Sequence, residues 1–152
     1  MTTLIFRKAT QGDLQDIIDL LADDELGKER ENASEGILPS YQSAFESIDA
    51  DPNQYLMVVE DKGLVVGTCH LTLMPSMTLQ GKLRMNIEAV RVKASHRGQG
   101  LGAWMIHQAL QLGRDKGCKV IQLTTNKKRV DAKRFYEKLG FEATHEGMKL
   151  YL

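Results

Sequence analysis

The chain has 152 residues, 42% of them hydrophobic and 26% charged, and its 20 Lys and Arg side chains equal its 20 Asp and Glu. That is the profile of an ordinary globular protein, long enough to bury a core without metal or disulfide support. A neutral total argues against a general nucleic-acid binder, and no apolar run reaches the roughly 20 residues that span a bilayer.

Periodicity sets the expected elements. Residues 3–9 read as a strand. Residues 11–24 read as a helix, with Leu14, Ile17, Ile18 and Leu21 at helical spacing. Residues 25–38 are polar, contain Gly27 and Gly36, and are expected as a loop; residues 40–48 are expected as a helix after Pro39. Residues 55–60 and 64–74 flank Asp61-Lys62-Gly63, a hairpin signal. After a connection at 75–81, residues 83–92 form a long strand. Residues 98–116 form a helix with Gly102, Met105, Ile106, Ala109, Leu110 and Gly113 along one stripe, closed by Gly117. A strand at 119–124, a helix at 130–139 and a last extended segment or segments at 141–152, counted as the final strand, complete the order. One α/β domain follows over residues 1–152, an α+β mixed sheet with helices on both faces.

Charge is unevenly spread. Residues 13–31 hold eight acids and two bases, whereas residues 127–138 hold six bases and two acids. Solvated helix faces account for most of these; opposite ends of a cleft preferring opposite ligand charges is the sharper reading. Cys69 and Cys118 lie in apolar stretches without metal-ligand spacing and read as buried thiols. With Arg7 and Lys8 interrupting the first apolar residues, no secretory core is expected and the location is expected to be cytoplasmic.

The strongest chemical signal spans residues 92–102, where a strand ends and Arg97-Gly98-Gln99-Gly100-Leu101-Gly102 leads into a long helix. Glycines let backbone N–H groups approach a ligand, and the helix start adds unpaired donors and partial positive charge. Together these make an anion site suited to a pyrophosphate. A tight strand-to-helix connection would also use such glycines. A P-loop is excluded because no Gly-Lys-Ser/Thr follows. Gly98 to Ala103 matches G-x-G-x-x-A, but the next strand ends in Thr124-Thr125-Asn126 without an acid, and too little chain follows for a two-half dinucleotide fold.

This run resembles the cofactor signature of the GNAT superfamily, R/Q-x-x-G-x-G/A. Arg134-Phe135-Tyr136-Glu137-Lys138-Leu139-Gly140-Phe141 is similar to that superfamily's second hallmark, a helix ending in Y-x-x-x-G-F. The stretch from Leu123 through Tyr136 also resembles small bacterial members, including aminoalkylphosphonate acetyltransferases. The resemblance implies a mostly antiparallel central sheet and an acetyl-CoA-dependent N-acetyltransferase. Its acceptor would be a small-molecule amine, attacking the thioester directly, with no metal. It places the cofactor against Val90, Val92, Arg97, Gly98, Gln99, Gly100, Leu101, Gly102 and Ala103. Many relatives carry an Asn seven residues before the tyrosine; here that position is Arg129 and an Asn stands at 126, so Asn126 and Arg129 are both candidates. The resemblance also admits a homodimer. Protein or peptide acetylation, and a non-catalytic acetyl-CoA-binding regulatory module, remain alternatives.

Within that resemblance the backbone N–H of Val90 stabilises the carbonyl oxygen, and Tyr136 protonates the departing thiolate; an aromatic anchor is the other role for Tyr136. Glu88 is the candidate general base, a structural ion pair its alternative. Strict alternation puts Glu88 on one face with Arg84, Asn86, Val90 and Val92. The acids at 23–31 point to a cationic acceptor. His70, His96, His107 and His145 show no metal or triad pattern, and Met74, Met77 and Met85 are expected in the core, with an acceptor pocket as the alternative.

Overall fold

A computed structural model describes residues 3–152. The chain forms two units, one running to Gln122 and one from Leu123 to Leu152. Strands β1 (Leu4–Lys8), β2 (Gln54–Asp61), β3 (Leu64–Met74), β4 (Arg84–Val92) and β5 (Val120–Leu123), whose last residue opens the second unit, form a mixed sheet in the order β1-β2-β3-β4-β5. The first three neighbouring pairs are antiparallel. Lys62 and Gly63, both at positive φ, make the two-residue turn between β2 and β3.

Helices cover both faces. On one, α1 (Leu14–Ala22) and α3 (Pro39–Ala50) bury Leu14, Ile17, Ile18 and Phe45 against Val58 of β2. On the other, α5 (Leu101–Asp115) brings buried Met105 and Ile106 to β3 and β4. That approach is close. A Cβ at Gly113 would stand 2.9 Å from Ile121 Cδ1 and 3.1 Å from Met85 Cε, so only glycine fits undisturbed. Arg7 of β1 ties the first layer together, donating to both carboxylate oxygens of Asp13 at 2.7 and 3.0 Å and to Glu60 of β2 at 3.0 Å. The Arg7 guanidinium holds the Asp13 carboxyl below its usual range.

Three expectations need correction. Residues 25–38 are not all loop, because α2 (Glu25–Arg30) forms there. Asp24 caps it by accepting from the Gly27 N–H at 2.6 Å. A Cβ at Gly27 would lie 1.9 Å from Leu21 O, so this glycine marks a close approach to α1 rather than a flexible loop. The helix after β4 starts at Leu101, since Gly98 and Gly100 have left-handed φ of 74° and 82°. Residues 141–152 contain no strand, although α6 (Val130–Lys138) forms as expected. Alternating apolar residues make a strand only when a neighbour pairs their backbone, and Met148, Leu150 and Tyr151 stay exposed. Between β3 and β4, α4 (Thr78–Gly81) is one irregular turn with Leu79 and Gln80 at positive φ.

Candidate functional site

The glycine-rich loop before α5 takes the strand-to-helix form its sequence predicts. After β4, a short turn at Ala94–His96 leads to Gly98 and Gly100, whose left-handed φ aims the chain into α5. Trp104 N–H donates to Gly100 O at 3.0 Å as α5 begins. The N–H groups of Leu101, Gly102 and Ala103 therefore precede the first helical bonds and point out of the helix start. A Cβ at Gly98 or Gly100 would meet nothing within 4 Å, so the space beside these two backbone positions is open. Open donors and a helix N-terminus fit a pyrophosphate. Gln99 folds back onto the loop, donating to Ser95 O at 3.2 Å.

Arg97 does not stand alone at the loop mouth. Its guanidinium donates to Val92 O at 2.9 Å and to Asp23 at 3.0 Å, because the end of α1 delivers the acid there. Both partners are about half exposed, so the pair contributes less than about 1 kcal/mol and can be exchanged for a phosphate at small cost. Asp24 likewise lies 3.8 Å from Arg91. Two of the acids that pointed to a cationic acceptor are thus matched by neighbouring arginines.

β4 carries a bulge. Glu88 pairs with His70 and Arg91 with Thr68, so two residues of β3 span three of β4, and Ala89 sits at φ 54°. The inserted residue reverses the alternation beyond it. Val90 and Val92 therefore lie on the α5 side, opposite Glu88, and the expected shared face is corrected. The bulge takes Val90 out of register with β3, which is how a strand frees a backbone N–H for another use.

On the α1 and α3 side, the stripe Asn86, Glu88 faces Thr72 and His70. These residues line a cleft of about 490 Å³ together with Gln54, Met74 and Asp51, roofed by Ser47 and Ile48 of α3. Glu88 Oε1 is 3.7 Å from His70 Nδ1, and the Glu88 side chain is 56% exposed. His70 Nε2 contacts Gln54 Oε1 at 2.6 Å, which also accepts from the Thr72 hydroxyl at 3.1 Å. Burial lowers the His70 pKa, partly countered by Glu88. Met74 lines this cleft, while Met85 is fully buried on the opposite face and Met77 is exposed.

His96 contacts Asp61 at 3.3 Å and Ser95 at 2.8 Å, anchoring the loop to the β2–β3 hairpin. In the second unit, Tyr136 lies on α6 with its ring edge-to-face with Phe135 at 5.0 Å and Phe141 at 5.8 Å. Asn126 Oδ1 accepts from Lys128 N–H at 2.9 Å, shaping the turn into α6, and Arg129 is the N-cap residue of that helix. Cys69 and Cys118 are free and buried; burial pushes the Cys69 thiol up to about 12. Among the described residues no group of His, Cys, Asp and Glu is arranged to hold a metal, and no helix is long and apolar enough to cross a membrane.

Sheet, bulge, loop and α5 define an α/β protein with a loop fitted to a phosphorylated cofactor. Residues 14–141 match the model of the acetyltransferase (GNAT) family. The chain belongs to that family, whose enzymes use acetyl-CoA as co-substrate. It is 39% identical over 90 residues to glucosamine 6-phosphate N-acetyltransferase of Trypanosoma brucei brucei, a match covering 59% of each protein. To aminoalkylphosphonate N-acetyltransferase of Salmonella typhimurium it is 30% identical over 111 residues, covering 70% of this chain and 68% of that one. A crystal structure of a transcriptional regulator from Bacillus halodurans superposes with TM-score 0.95 at 43% identity, covering 99% of this chain and 100% of that one.

His70 is the residue that sequence reasoning passed over. Its pairing with Glu88 depends on the β3–β4 register, which no spacing within either strand encodes.

Proposed function

We propose that the chain is an acetyl-CoA-dependent N-acetyltransferase that moves the acetyl group to a primary amine of a small molecule by direct attack. The observation that carries this is the run from the β4 bulge through the open glycine loop to the start of α5. The family match across residues 14–141 supports one catalytic domain. The names of the trypanosome and Salmonella relatives support a small amine as acceptor. In this reading the loop donors and Arg97 hold the pyrophosphate, the Val90 N–H steadies the carbonyl oxygen as it gains charge, and Glu88 accepts a proton from the amine.

The test is acetyl-CoA binding and turnover in the full chain. Acetyl-CoA should raise the melting temperature of wild type, since it binds only the native state. Gly100→Val should abolish that rise, because a branched side chain both disfavours φ 82° and fills the cradle. Equal affinity in wild type and a folded Gly100→Val variant would remove the loop from the site. A second reading, a regulatory acetyl-CoA sensor, draws on the likeness to the Bacillus halodurans regulator. Thiol release from acetyl-CoA with an amine panel separates the two: a sensor binds and releases none.

A further inference from the structure

The cleft beneath α3 has a specific polarity. Gln54 Oε1 receives the Thr72 hydroxyl and stands 2.6 Å from His70 Nε2. An oxygen in that place requires the imidazole to carry its hydrogen on Nε2. His70 Nδ1 is then a lone pair, and it faces Glu88 Oε1 at 3.7 Å. That separation is too long for a direct hydrogen bond. Two acceptors stand side by side, and an N–H donor satisfies both. Asp51, at the end of α3, adds another carboxylate to the lining, and no Lys or Arg is among the cleft's lining residues. An ammonium group matches this surface: several donors, one positive charge and no acceptor.

We propose that this cleft binds the ammonium end of the acceptor, and that His70 acts with Glu88 as its proton acceptor. The proposal rests on the transferase reading above and names the substrate-binding end of that site. The amine arrives as R–NH3+, since an alkyl ammonium has a pKa of about 10. One proton passes to His70 Nδ1, and Glu88 steadies the imidazolium so formed. The freed nitrogen lone pair attacks the thioester carbonyl carbon, forming C–N. Collapse breaks C–S, the nitrogen gives up its second proton to solvent through Glu88, the His70 imidazolium returns its proton to solvent, and the departing thiolate takes one proton from solvent to leave as thiol. The sum is R–NH3+ plus acetyl-CoA giving the N-acetyl amine, CoA thiol and one released proton. Burial lowers the His70 pKa and so favours the neutral ring, and Glu88 and Asp51 are the charged groups lining the cleft around it. Gln54 is a positioning residue, holding the tautomer that turns Nδ1 toward the acceptor.

The experiment uses the full chain, acetyl-CoA and three probes: putrescine, glucosamine 6-phosphate and 2-aminoethylphosphonate. His70→Asn should lower kcat about 100-fold at pH 7 on the best of these, within the range for a general base, while acetyl-CoA affinity changes less than twofold. Its residual rate should climb with pH as free amine accumulates. Gln54→Leu should give a smaller loss and a displaced pH profile. An unchanged kcat and pH profile in a folded His70→Asn variant overturns the proposal. If wild type turns over none of the probes, titration by NMR decides. His70 imidazole signals that move with putrescine uphold the ammonium cleft and count against the transferase reading. Signals that stay fixed with all three amines overturn the cleft itself.

Discussion

β3 and β4 present two faces made of alternate residues of the same strands, and they have opposite characters. Toward α5 the side chains are Cys69, Leu71, Met85 and Ile87, all sealed. Toward α3 they are His70, Thr72, Asn86 and Glu88, polar and open to a cleft. Alternation lets one backbone supply a packed wall and a chemical surface at once. Stability should therefore answer to one face and turnover to the other, although the residues are neighbours in sequence.

Glu88→Gln tests that division most severely. It keeps the shape and removes the basicity, and it should cut turnover near pH 7 by on the order of 100-fold to 1000-fold. Its melting temperature should stay within a few degrees of wild type, because the side chain is 56% exposed. A pH–rate profile matching wild type would return Glu88 to structure. Ile87→Ala, one residue away and 1% exposed, should do the reverse. It should cost about 3 kcal/mol of stability through lost burial and a cavity, and turnover per folded molecule should be unchanged. Denaturant unfolding paired with kinetics checks both variants, and the division breaks if either moves the wrong quantity.

Polarity alone does not make a site, and Asp13 sharpens that point. Its carboxylate is spent on Arg7 and Thr10, so Asp13→Asn should cost about 2 kcal/mol without affecting turnover. The folded pKa of Asp13 is depressed. Its contribution is thus fully present above the unfolded value near about 3.9 and fades as pH falls through the folded value. Melting temperatures from pH 7 to pH 2 should show wild type losing this contribution and Asp13→Asn having none to lose. The smallest effect belongs to the second unit. Tyr136→Phe keeps the ring and its contacts with Phe135 and Phe141. It should lower turnover about tenfold, less than a full general-acid contribution because water replaces the hydroxyl. Unchanged kcat on a good acceptor would leave Tyr136 as an aromatic anchor.

Much of this division was legible in the sequence. The alternation of residues 83–92 predicted the long strand, the Asp61-Lys62-Gly63 signal predicted the hairpin, and the glycine run marked the loop before α5. What stayed hidden depended on contacts between distant residues. The bulge at Ala89 is a register event, so it reversed the assignment of Val90 and Val92. His70 meets Glu88 across strands for the same reason. Gly27 resembled a loop residue because a close approach to Leu21 O leaves no trace in local pattern. The paired state of Asp23 and Arg97 joins residues far apart in the chain.

The two sealed thiols bear on how the protein meets the product of its proposed reaction. Cys69 is 0% exposed and Cys118 is 8% exposed, and burial raises both thiol pKa values. Neither offers a thiolate at neutral pH. The folded chain should therefore react slowly with disulfide reagents and resist forming a mixed disulfide with free CoA. In a colorimetric sulfhydryl assay of the native protein, the signal should come from released CoA, and the chain's own two thiols should appear only after denaturant opens the core.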